Sequence, residues 1–279
     1  MLQTALTTAF TLRVQMFAPS VWLLLLPIVS ATAACNMLEE SGGGHVTFYA
    51  AHHGTPREGQ FPPDLSPHPD WREFDTDDGW HIKLAEGYVS VGNIALRNCD
   101  HGKDLVWMEF QHGESAAEDI VGVDDTRAAP LGSIYVPAGS YCALLLDYGH
   151  YSFPDAADEV PPAARPDNAS MEGMTVLLHG HATRGEETEF FRWQDRLKLD
   201  TLELSLTTLE NGGALYIGPR EGVTRRITIA KPYDRFLDGV DFSDFDRGDL
   251  EDTVRRVLEK KTWVMLGNTL GQTNGPSDP

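Results

Sequence analysis

From residue 45 onward the hydrophobic positions come in short runs, each closed by a cluster of Gly, Pro, Asn or Asp. "HVTFYAA" (45–51), "WHIKL" (80–84), "YVSVGNIAL" (88–96) and "LVWMEF" (105–110) are the first four. "SIYVPAGSYCALLLDY" (133–148), "MTVLLHGHA" (174–182) and "EFFRW" (189–193) follow. "LKLDTLELSL" (197–206), "ALYIG" (214–218) and "RRITIA" (225–230) complete the set. Each predicts a strand by its length, its tendency to alternate and its turn-forming borders. Pro-Ala-Gly at 137–139 and "RGEE" at 184–187 predict hairpin turns, and Gly92 predicts a bulge within its run. One segment has helical spacing instead. In "DLEDTVRRVLEKK" (249–261), Leu250, Val254, Val257 and Leu258 form a stripe, Asp249 is placed to cap the start, and Lys260 and Lys261 suit the dipole at the end. Trp263–Leu266 predicts a last strand. No strand–helix–strand repeat occurs, which argues against a doubly wound sheet. The pattern therefore predicts an all-β fold, an antiparallel β-sandwich of about ten strands with one short C-terminal helix.

The chain before residue 45 reads differently. "MFAPSVWLLLLPIVSATAAC" has an apolar core from Val21 to Val29, followed by small residues. That is a secretory signal pattern, and the apolar run is shorter than the roughly 20 residues a membrane span needs. Residues 1–34 are expected to be the signal peptide. An ordinary signal peptidase could cut after Ala33 or Ala34, which would give a secreted protein. Alternatively "TAAC" ends a lipobox and Cys35 carries diacylglycerol, with 35–44 as a Gly-rich tether. The second reading places the protein in the periplasm or at the outer membrane, held to the membrane by its lipid. One domain is expected over 45–270, with 154–173 as a long Pro- and Ala-rich surface loop and 271–279 as a disordered tail.

Charge narrows the partners. The chain of 279 residues carries 42 acidic and 22 basic side chains, a formal net charge of -20. No Lys/Arg cluster could neutralise phosphates, so nucleic acid is excluded. Acidity of this size suits solubility or a cationic ligand. The three cysteines would leave one unpaired in an exported protein. With Cys35 lipidated, Cys99 and Cys142 remain to form a disulfide, the alternative being two buried thiols.

No nucleophile elbow, phosphate loop, dinucleotide fingerprint or His-Glu-x-x-His is present. Histidines offer more. His179 and His181 stand two apart on a predicted strand, so both imidazoles leave the same face and can share a metal. Gly180 between them leaves the other face bare. One of His52 and His53, at the end of the first strand, is the expected third ligand, since neighbours on a strand point to opposite faces. His68, stiffened by flanking prolines, is a further one. An all-imidazole set selects zinc or copper. The aspartates of "DGVDFSDFDRGD" (238–249) fail the EF-hand spacing for calcium, while Phe242 and Phe245 read as anchors of that loop. His150, among aromatics, is expected to be buried, and the tryptophans are expected in the core.

Together, "HVTFYAA", "GWHIKLAEGYVSVGNIALRNC", "IYVPAGSY", "VLLHGHA" with "EFFRW", and "FLDGVDFSDFD" before a short helix resemble the MbnP-like periplasmic metal-associated β-sandwich proteins. The resemblance spans roughly residues 45–266 and implies metal binding or delivery without turnover. The expected function is thus storage of a divalent transition metal, or its delivery to a membrane transporter or periplasmic partner protein. Two rivals stand beside it. One is a surface or structural interaction lipoprotein without metal. The other is a metal-dependent hydrolase using an open metal position beside Glu109 or Glu189.

Overall fold

A computed structural model describes residues 42–267 apart from 56–70, 101, 103, 112, 122–127, 154–170, 208, 210–212 and 220–223. The chain divides into two units, 1–41 and 42–279, and all described residues belong to the second. The signal segment, Cys35 and the tail lie outside the described residues, as does most of the 154–173 loop.

In chain order the strands are β1 (Gly43–His53), β2 (Arg72–Asp75), β3 (His81–Val91), β4 (Asn93–Asn98) and β5 (Leu105–Trp107). Next come β6 (Glu109–Phe110), β7 (Ala116–Asp119), β8 (Ala129–Pro137), β9 (Gly139–Asp147) and β10 (Val176–Arg184). The last are β11 (Glu187–Asp195), β12 (Leu202–Ser205), β13 (Leu215–Ile217), β14 (Thr224–Pro232) and β15 (Trp263–Leu266), with the helix α1 (Arg247–Lys260) before β15. They form three sheets. The first has the order β15-β14-β1-β8-β6, the second β11-β10-β3-β2 with β7 also on β3, and the third β12-β9-β4-β5 with β13 also on β9. The all-β, sandwich-like fold read from the pattern is present, with more strands than expected. Pairing is antiparallel except for β1 with β14, which run parallel.

Alternation explains which face each strand buries. On β1, Val46, Phe48 and Ala50 point into the core, while His45 is exposed and Thr47 and Tyr49 are half-buried. On β14, Ile227 and Ile229 do the same. Helix α1 closes the core with Leu250, Val254, Val257 and Leu258, the stripe read from its spacing. It begins two residues early, because Asp246 and not Asp249 is the cap, its side chain accepting from the Gly248 N–H at 2.7 Å. Phe242 does anchor its loop, packing against Trp80 and Phe191 with ring centres 5.5 and 5.1 Å away.

Two expected local features turn out to be crossings between sheets. Gly92 is no bulge; it separates β3, in the second sheet, from β4, in the third. A Cβ there would meet the Gly149 Cα at 2.7 Å, so the crossing needs both glycines. Pro-Ala-Gly at 137–139 joins β8 to β9, which do not pair, because β8 belongs to the first sheet and β9 to the third. The "RGEE" hairpin is as expected: Arg184 pairs with Glu187 around Gly185, whose φ is 65°.

Candidate functional site

The first strand carries two of the expected ligands to its C-terminal end, and there the parallel pairing decides their surroundings. His52 lies opposite Lys231 of β14, and His53 opposite Pro232. His52 enters the interior. Its Nδ1 is 3.0 Å from Glu118 Oε1 of β7, and its Nε2 is 3.1 Å from the Arg72 Nη2 of β2. A guanidinium can only donate, so Nε2 accepts and Nδ1–H donates to the carboxylate. Lys231 Nζ donates to the other oxygen, Glu118 Oε2. Arg72 Nε donates to the Ile120 carbonyl at 2.7 Å, and its guanidinium lies 4.6 Å over the Tyr233 ring. All four side chains are at most 2% exposed. Burial alone would push the Glu118 carboxyl up. The Lys231 ammonium and the His52 hydrogen bond outweigh it and hold Glu118 at about 2. Burial likewise opposes the charge on Lys231, but Glu118 raises it above the ordinary lysine value. The pair is therefore ionised, and it ties the first sheet to the second.

His53 points to the other side of the sheet. The Trp263 Nε1–H donates to its Nε2 at 3.0 Å, so its Nδ1–H donates to the Gly54 carbonyl at 2.8 Å. Burial lowers its pKa from 6.5 to about 4, with the Gly54 hydrogen bond opposing and the Lys231 ammonium assisting. Just beyond it, Asp234 accepts from Thr55 N at 2.9 Å and from Thr55 Oγ1 at 3.0 Å, and Arg235 Nε donates to the same hydroxyl at 2.7 Å. Both imidazoles at the end of β1 thus commit both ring nitrogens to protein partners.

His179 and His181 do leave one face of β10, the outer one, while Leu178 and Ala182 fill the core. His179 is 38% exposed, yet its Nδ1 is shielded, makes no hydrogen bond, and lies 3.8 Å from Glu86 Oε2 of β3. His181 pairs in register with Lys83 and packs against the exposed Phe190 ring at 5.7 Å. Lys83 is turned away, its Nζ 3.4 Å over the Trp71 ring. The bare face of Gly180 receives β3 and no ligand: a Cβ there would lie 2.3 Å from the Lys83 carbonyl, beside a register shift in the β10–β3 pairing.

The structure sets His179 and His181 on one face of β10 and His179 beside Glu86, but brings neither to His52 or His53, which stand on a central strand of another sheet. Among the described residues, no three metal-ligating side chains already converge on one point. His68 lies outside the described residues. His150 is exposed, contrary to the expectation of burial. Cys99 and Cys142 are bridged, with Cα atoms 5.1 Å apart. Glu109 and Glu189 are both exposed, on different sheets. The residues missed in the sequence are Glu118, Lys231, Arg72 and Glu86. Lys231 had a visible signal, a lone cation closing the apolar run "ITIAKP". Glu118 in "SAAEDI" had none, because acidic residues are everywhere in this chain.

No helix among the described residues is long and apolar enough to cross a membrane. No protein-family model matches the chain, and no curated protein does. A solved structure, MbnP from Methylosinus trichosporium, aligns over 71% of this chain and 79% of that chain, with 12% identity and a TM-score of 0.38. The chain thus bears a weak structural resemblance to MbnP, with too few identical positions to carry any residue's role across.

Proposed function

We propose that this is an exported binding protein without turnover that takes a divalent transition-metal ion, zinc or copper, on the outer face of β10. His179 and His181 would supply the imidazoles and Glu86 a carboxylate, a mixed set suited to such ions. The observation that supports it is His179 Nδ1, shielded from water, without a hydrogen bond, and facing a carboxylate. An unpartnered buried polar atom costs stability, and a ligand would repay it. A side-chain rotation and water would complete the coordination. Lipid attachment at Cys35 would hold the protein at the membrane, near a transporter or a periplasmic partner to which it delivers the ion. His52 and His53 have no part in this site, since their ring nitrogens are already engaged.

Calorimetry with Zn²⁺ and Cu²⁺ on the mature protein tests the reading. A single site should appear, weakening at least about tenfold in Glu86→Gln and vanishing in the His179→Ala/His181→Ala double variant. Binding should also weaken as pH falls through the imidazole range, because protonated histidine cannot ligate. Unchanged affinity in the double variant would sink it. A second reading, an interaction protein without metal, is favoured by Phe190. That ring is 80% exposed on β11, an edge of the second sheet, where unpaired backbone groups can receive another chain. In that case neither ion binds and Phe190→Ala weakens partner association.

A further inference from the structure

The outer face of the first sheet carries a second arrangement, unrelated to the histidines. Three strands present one row of polar side chains in register: Thr47 of β1 lies opposite Ser133 of β8, and Ser133 opposite Glu109 of β6. A groove of about 260 Å³ runs along this row, lined also by Phe110, Gln111, Pro130 and Gly132. Gly132 is required there, since a Cβ would lie 2.3 Å from the Glu109 carbonyl; it lets β6 close against β8. Beside the row, outside the groove lining, stand two large exposed rings. Tyr135, two residues from Ser133 and on its face, is 51% exposed, and Trp107, two residues from Glu109, is 52% exposed. Trp107 is the last residue of β5, a strand of the third sheet that packs against β8, so it stands next to the row without belonging to it. Tyr135 makes an edge contact with its exposed cross-strand neighbour His45, ring centres 5.3 Å apart.

The geometry points to a binding site for a neutral oligosaccharide. A pyranose has an apolar face of C–H groups and a girdle of hydroxyls, so it needs a ring to lie on and donors and acceptors beside it. The exposed rings meet the first requirement, and two hydroxyls with a carboxylate meet the second. Three strands span two inter-strand spacings, roughly 10 Å, about the length of a disaccharide. A polyanionic glycan is disfavoured by the chain's net charge of -20. An extended peptide is the weaker occupant, because β6 offers only two residues for strand addition. This site is separate from the one on β10, so the two readings fail independently.

The test is binding of the mature protein to an array of neutral and acidic oligosaccharides, followed by calorimetry with the strongest neutral hit. Neutral oligosaccharides should bind, with affinity falling about tenfold or more in Trp107→Ala and in Glu109→Gln while thermal unfolding stays unchanged. A His179→Ala/His181→Ala variant should bind them as the parent does. A silent array, hits confined to acidic glycans, or binding unaffected by both substitutions overturns the proposal. So does a silent array with a dimer in light scattering that Trp107→Ala dissociates, because the rings would then be covered by a second copy.

Discussion

Acidification from pH 7.5 to pH 5 should cost this fold about 2 kcal/mol through His53 alone. The side chain is buried and neutral, its pKa held at about 4 against the ordinary 6.5. In the unfolded chain it takes up a proton as pH falls through 6.5, and in the folded protein it does not until near 4. The unfolded state therefore binds more protons throughout that window, so stability is complete above about 6.5 and falls as the pH drops. At pH 5 the ratio of the two binding polynomials is about 30, which is roughly 2 kcal/mol, and the loss saturates near 3 kcal/mol below pH 4. Glu118 does not confuse the measurement. Its pKa is lowered from 4.5 to about 2, so its contribution is present above 4.5 and lost only below. Urea unfolding followed by far-UV circular dichroism at the two pH values measures the difference. His53→Gln keeps an acceptor for the Trp263 N–H and does not titrate. Its stability should change between pH 7.5 and pH 5 by about 2 kcal/mol less than the parent's. Equal losses in parent and variant would refute the assignment of a buried, neutral His53.

Three further outcomes follow from the packing. Glu118→Gln leaves Lys231 buried without its counter-charge and should cost about 3–5 kcal/mol in denaturant unfolding, whereas a Glu118→Leu/Lys231→Met double variant should recover only part of that, because the buried His52 Nδ1–H loses its acceptor. Reducing the Cys99–Cys142 bridge, whose cysteines are 43 residues apart, should lower stability by about 4 kcal/mol, read as a drop in melting temperature with reductant. Gly180→Ala should cost about 1–3 kcal/mol, because its Cβ must displace the Lys83 carbonyl of the neighbouring strand; thermal unfolding measures it.

Much of the local structure was determined by the chain alone. Alternation placed the strands around Phe48, Ile94, Leu178 and Ile229, and spacing of 3 and 4 placed the helical stripe of Leu250, Val254, Val257 and Leu258, because side-chain direction follows from backbone period. The two-residue turn at Gly185 and the shared face of His179 and His181 were legible for the same reason. What neighbours those elements was not. Only the tertiary structure ran β14 parallel to β1, setting Lys231 beside His52, and brought Glu118 from another sheet to neutralise it. The same pairing placed Trp263 on His53 and so removed both histidines from any shared ligand set with β10. Gly92 and Pro137–Gly139 carried the signals of a bulge and a hairpin, yet both are crossings between sheets. A turn residue specifies the local bend, whereas the strand that receives the chain afterwards is chosen by burial over the whole core. The row of Thr47, Ser133 and Glu109 exists on the same terms, since three residues spread over more than sixty positions meet only through strand register.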